Sequence, residues 1–226
     1  TESLEALLSA LEEQRRPATP DALATLTRTL EAIRRYLDDL VAGEPNQPLR
    51  LLPVYAALAA ARALGPCKPT DLFFPDLSLR KPGHAAPVAP MSAEQLATLL
   101  KSERGRFQKG LLAWLTRAGN PHVALEHMQT ALDNIEATQD SSAARTFWWV
   151  ALAFVESLFD HRPEKDAESR QLLARVDTQI RRLLAGSESI AERLLRDVLY
   201  AVAQATAGSS AVVAEVQSVF GLVDML

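Results

Sequence analysis

Six of the chain's 13 prolines (Pro66, Pro69, Pro75, Pro82, Pro87 and Pro90) fall in one short stretch. No helix survives that density, because each interior proline removes an amide donor and crowds the preceding turn. The chain is therefore read in three parts: 1–65, a Pro-rich connector at 66–91, and 92–226. The connector is not a plain flexible linker. Asp71-Leu72-Phe73-Phe74-Pro75-Asp76-Leu77 carries large apolar side chains that are costly to leave in water. Part of it is expected to dock on a neighbouring domain, and Leu72, Phe73 and Phe74 are candidates for protein contact.

Helices are expected on both sides of the connector. Ala and Leu, both strong helix formers, account for 37 and 36 of the 226 residues, whereas Gly and Ile number only 9 and 4. The 14 Val are interspersed in Ala/Leu-rich runs instead of alternating with polar residues, which argues against a sheet. The fold class is all-α. Before the connector, a short amphipathic helix runs from Ser3 to about Gln14. Thr19-Pro20-Asp21 then caps a longer one that Gly43 ends. In it Leu23, Leu26, Leu30, Ile33, Leu37 and Leu40 recur at spacings of 3, 4, 3, 4 and 3, one seam for packing against other helices. Pro48 to Leu64 reads as an Ala-rich helix ending at Gly65, with Pro53 in its first turn or at a kink. Three helices make a thin core. This part is expected to be the remainder of a bundle, and the start at Thr1 suggests a piece of a longer protein.

After the connector, Ser92 and Gln95 form a capping box for a helix to about Arg117. Asn120-Pro121 caps the next to about Thr138; Ser141 or Ser142 starts one ending near Asp160; Pro163 opens one ending at Gly186. Ser187 or Ser189 begins another that stops at Gly208, and Ser209 or Ser210 begins a last short one closed by Gly221. Short connections between long helices favour antiparallel neighbours, so 92–226 is expected to form an up-down bundle.

The formal charge is −4 and the 24 Lys and Arg are spread along the chain, which gives nucleic-acid binding no basic patch. One cysteine, Cys67, cannot form an internal disulfide and fits a reducing compartment. No apolar run reaches the roughly 18 residues needed to cross a bilayer, so direct membrane insertion is not expected. His84, His122, His127 and His161 fall in no metal-ligand pairing, and no metal is expected. Phosphate-binding, dinucleotide and hydrolase motifs are also missing from the sequence, so neither cofactor nor catalytic residue is assigned. Carboxylate groups such as Glu12-Glu13, Asp38-Asp39 and Asp133 with Glu136 read as solvated helix faces, and Asp177 with Arg181-Arg182 reads as an ordinary surface pattern.

Two features remain. His127 is the one side chain that could carry phosphate in a helical bundle. The run His127-Met128-Gln129-Thr130-Ala131 lacks the Lys and Gly that phosphotransfer domains place after their histidine. The stretch Phe147-Trp148-Trp149-Val150, continuing to Phe154-Val155 and Leu158-Phe159, is apolar in nearly every direction and marks a central helix. Trp148 and Trp149 point about 100° apart, so one of them is a candidate for reaching the rim as a binding anchor.

Several strings in this order resemble a known family. They are Leu49-Arg50-Leu51-Leu52-Pro53, Leu72-Phe73-Phe74-Pro75-Asp76-Leu77-Ser78, Gln108-Lys109-Gly110-Leu111-Leu112-Ala113-Trp114, Arg145-Thr146-Phe147-Trp148-Trp149-Val150-Ala151, Leu194-Leu195-Arg196-Asp197-Val198-Leu199-Tyr200 and Glu215-Val216-Gln217-Ser218-Val219-Phe220-Gly221. Together they are similar to the N-terminal region shared by type IV pilus chemosensory hybrid kinases (ChpA and PilL) and FimL pilus scaffolds. The resemblance implies Hpt-like helical bundles, some without a phosphoacceptor histidine, that act as docking or scaffold modules. It implies a cytoplasmic, non-enzymatic segment open to recruitment to the cell pole. Other chemosensory or pilus-associated proteins would be its partners, and its output would be control of twitching motility. The alternative reading is a histidine phosphotransfer domain that relays phosphate through His127.

Overall fold

A computed structural model describes residues 2–13, 17–83, 91–159, 166–187, 189–206 and 210–226. Among the described residues the regular elements are all helical, α-helices and short 3-10 turns. The chain divides into two compact units, one reaching Phe74 and including Asp224–Leu226, the other spanning Pro75–Val223. The division falls at Phe74 and Pro75, inside the connector.

The N-terminal unit holds α1 (Glu2–Glu12), α2 (Pro20–Val41) and α3 (Leu52–Ala61). Thr19 caps α2 by accepting a hydrogen bond from the Ala22 amide at 3.2 Å, with Pro20 in the first turn. Gly43 beyond its end has φ +90°, a conformation that costs glycine nothing. A 3-10 turn at Pro48–Leu51 leads into α3, whose first turn holds Pro53. The expected stop at Gly65 comes earlier. Ala63 takes the left-handed conformation (φ +52°), and the Leu64 amide closes the end on the Ala59 carbonyl at 2.9 Å. Both α1 and α2 pack on α3. The core is small: Leu4, Leu7, Leu26 and Leu58, with Leu11, Ile33 and Ala61 against it.

The C-terminal unit holds α4 (Ala93–Thr116), α5 (Pro121–Ala137), α6 (Ser142–Ser157), α7 (Asp166–Leu184), α8 (Glu192–Ala203) and α9 (Ala211–Val219). Ser92 and Gln95 form the expected capping box, with mutual hydrogen bonds of 2.8 and 3.2 Å. Asn120, Ser141 and Ser210 cap α5, α6 and α9. The start of α8 differs from expectation. Its N-cap is Ala191, without a side-chain bond, and the Ser189 carbonyl instead accepts from Gln179 Nε2 at 2.7 Å. The expected Pro163 start and Gly208 stop lie outside the described residues.

Packing follows chain order only at first. The helix pairs α4 with α5 and α5 with α6 are in the most extensive contact; α7 then lies against α4 and α8, while α8 and α9 lie against α6. The bundle thus closes on itself in the order α4, α5, α6, α8, α7. Arg104 on α4 fastens that closure by binding Asp177 on α7 through two hydrogen bonds of 3.1 Å, and Gln108 adds a third at 3.0 Å. Asp177 is therefore an inter-helix clamp and not the ordinary surface carboxylate expected.

Candidate interaction surfaces

The leucine seam of α2 does not enter the core as one unit. Leu26 is buried and Ile33 packs against the core, yet Leu23, Leu30 and Leu37 remain 50%, 53% and 54% exposed. Residues seven apart drift only about 20° around a helix, so these three form one nearly straight stripe. Val41, 90% exposed, continues it. The buried face instead includes Thr25 and Thr29. Their hydroxyls donate to the carbonyls of Asp21 and Thr25 at 2.8 and 2.7 Å, which lets two polar side chains sit inside at little cost. Sequence reasoning places the leucines in a packed seam and misses the threonines, because a 3-4 spacing defines a stripe without saying which edge of it a neighbour covers.

In the connector, Pro69–Leu72 forms a 3-10 turn, and the Lys68 amide donates to Asp71 Oδ2 at 2.9 Å. Extended backbone follows at Phe73 (φ −104°, ψ 111°). Successive side chains of extended backbone point to opposite sides. Phe73 is accordingly buried and Phe74 is 56% exposed, with Leu72 between those extremes. Of the three candidates expected for protein contact, Phe73 is therefore interior, and Phe74 presents the most surface.

The expectation that one tryptophan of the pair reaches the rim is not met. Trp148 and Trp149 are both buried, at 2% and 1% exposure. Their helix, α6, is wrapped by α5, α8 and α9. Phe147 meets Trp148 edge to face at 4.9 Å between ring centroids. Lys81 lies over Trp149, its ammonium 6.0 Å from the ring centroid. That ammonium also donates to Glu136 Oε1 at 2.5 Å, and the Lys81 amide donates to Thr146 Oγ1 at 3.0 Å. Glu136 is therefore a buried counter-charge and not the solvated carboxylate expected, because the connector covers it.

His127 lies half-buried on α5. Facing it on α4 is Gly110, where an added Cβ would sit 2.5 Å from the Ala124 carbonyl oxygen, 2.9 Å from Met128 Cγ and 3.1 Å from His127 Cβ. The two helix backbones meet at this glycine. His122, exposed at the start of α5, has its ring 5.4 Å from that of Phe159. His84 and His161 lie outside the described residues. A groove of about 490 Å³ runs along the first turns of α4, lined by Glu94, Gln95, Thr98, Leu99, Ser102 and Glu103. Among the described residues no group of three or more His, Cys, Asp and Glu could hold a metal ion. Among them, too, no helix is long and apolar enough to cross a membrane.

Comparison with known proteins gives the chain a family. Over 185 residues the chain is 32% identical to the scaffold protein FimL of Pseudomonas aeruginosa, covering 80% of this chain and 32% of that protein. It thus spans about a third of that relative's length. No solved structure matches. Residues 92–226 match the family described as the second domain of the FimL scaffold protein. The chain therefore belongs to the FimL scaffold family.

Proposed function

We propose that this chain is a non-catalytic protein-interaction module of a scaffold that links chemosensory signalling to type IV pili and twitching motility. The observation that supports this most is the match of residues 92–226 to a scaffold domain. The uncovered leucine stripe of α2 and the exposed Phe74 supply contact surface of the kind a scaffold needs. Its partners in this reading are other chemosensory or pilus-associated proteins, met in the cytoplasm and at the cell pole. Capture of such proteins on the immobilised chain tests it. Loss of capture on changing Leu23, Leu30 and Leu37 to Gln together would locate the surface.

The second reading, phosphate relay through His127, draws on the glycine that clears space beside that residue. A phosphotransfer assay decides it, with an autokinase core, its receiver and labelled ATP. Acid-labile label on the native chain that His127→Gln removes would overturn the scaffold reading. Absence of label, beside a working phosphotransfer domain as control, leaves scaffolding in place.

A further inference from the structure

The segment from Pro75 to Gly83 lies on the C-terminal unit like a strap. Burial alternates along it from Pro75 to Lys81: Pro75, Leu77, Leu79 and Lys81 are turned inward, and the residues between them are exposed. Arg80 is spent on the strap itself, donating to the carbonyls of Leu77 and Leu79 at 2.9 and 2.8 Å. Lys81 goes to the bundle. Its main-chain amide is held by Thr146, its ammonium by the buried carboxylate of Glu136, and its charge lies over the face of Trp149. Thr146 donates its own proton to the Ser142 carbonyl at 2.8 Å, which leaves its oxygen lone pairs for the strap amide. A main-chain hydrogen bond, a buried counter-charge and an aromatic face are the three parts with which a protein recognises lysine in an extended peptide.

Glu136 has a second cation nearby, Arg145 Nη2 at 3.9 Å. Withdrawal of Lys81 therefore leaves that carboxylate with a partner, and the strap can lift without stranding a bare buried charge. We propose that Glu136, Thr146 and Trp149 form a lysine-reading docking site for an extended segment of a partner protein, closed in this state by the chain's own strap. The site rests on the scaffold reading only for the existence of that partner. A partner segment that carries lysine competes with residues 75–83, and its apparent affinity is lowered by the fraction of molecules whose strap is closed.

The test uses the full chain, native and Lys81→Met, with a fluorescent peptide of the strap sequence 75–83 as probe. Hydrogen exchange at the amide of residue 81, which Thr146 holds, reports whether the strap is open, and thermal unfolding reports the fold. Lys81→Met is expected to speed exchange at that amide and to bind the peptide about tenfold more tightly than the native chain. The same peptide with methionine in place of its lysine is expected not to bind. Adding Glu136→Gln to Lys81→Met removes binding. Equal peptide binding by both chains, with the strap open in Lys81→Met, overturns the site. Unchanged exchange in Lys81→Met overturns the closure. Neither result depends on capture of a natural partner, so the scaffold reading stands or falls separately.

Discussion

Helices α2 and α6 both carry many apolar side chains, and the protein uses them in opposite ways. Every residue of α6 from Thr146 to Val155 is buried, since α5, α8 and α9 surround it. In α2 only Thr25, Leu26 and Thr29 are buried, and Leu23, Leu30 and Leu37 face outward. The difference lies in the neighbours available, because a helix hides only as many faces as there are helices to cover them. Apolar content therefore marks structural load in α6 and available surface in α2.

Truncation within α6 should have the largest effect. Trp148→Ala is expected to cost about 3–5 kcal/mol in chemical denaturation, the range for truncating a fully buried tryptophan. A cost below about 1 kcal/mol would mean that α6 is not the enclosed helix described. Phe73→Ala should fall in the same range, about 3–5 kcal/mol, whereas Phe74→Ala beside it should stay within about 1 kcal/mol. Equal effects of the two would show that the alternation of the connector is wrong. Gly110→Ala sharpens the account of the α4–α5 contact. Alanine is the better helix former, yet the new Cβ meets backbone at 2.5 Å, so a loss of about 1–3 kcal/mol is expected. A gain in the melting midpoint would contradict the close approach. The smallest effect belongs to α2, where Leu23, Leu30 and Leu37 changed to Gln together should shift unfolding by less than about 1 kcal/mol. Unfolding of the N-terminal unit instead would make the stripe core.

Much of the helix layout is legible in the sequence because capping is local chemistry. Thr19-Pro20, Ser92 with Gln95, Asn120-Pro121 and Ser210 each declare a helix start within a few residues. Where a distant bond replaces the local signal, the reading fails. Ser189 gives its carbonyl to Gln179 and caps nothing, and α8 begins at Glu192 behind an Ala191 N-cap that makes no side-chain bond. Rotation about a helix axis is equally hidden. The period of α2 identifies a helix, but which of its faces becomes interior, the one with Thr25 and Thr29, depends on where its neighbours pack, and no spacing within α2 reports that. The tryptophan pair fails for a related reason. Nothing at positions 148 and 149 announces that a lysine from the distant connector will lie across Trp149. Asp177 likewise reveals its role only through Arg104 and Gln108 on another helix.

The closure of the bundle through α7 and α8 also bears on synthesis. A ribosome delivers α4, α5 and α6 before the helices that complete the ring, so the flank of α6 that α8 and α9 will cover is bare until residues 192–219 emerge. A nascent chain stalled in that interval carries its tryptophan-bearing helix open to water. Such intermediates are prone to aggregate, which makes the last helices a protective seal for a core laid down well before them.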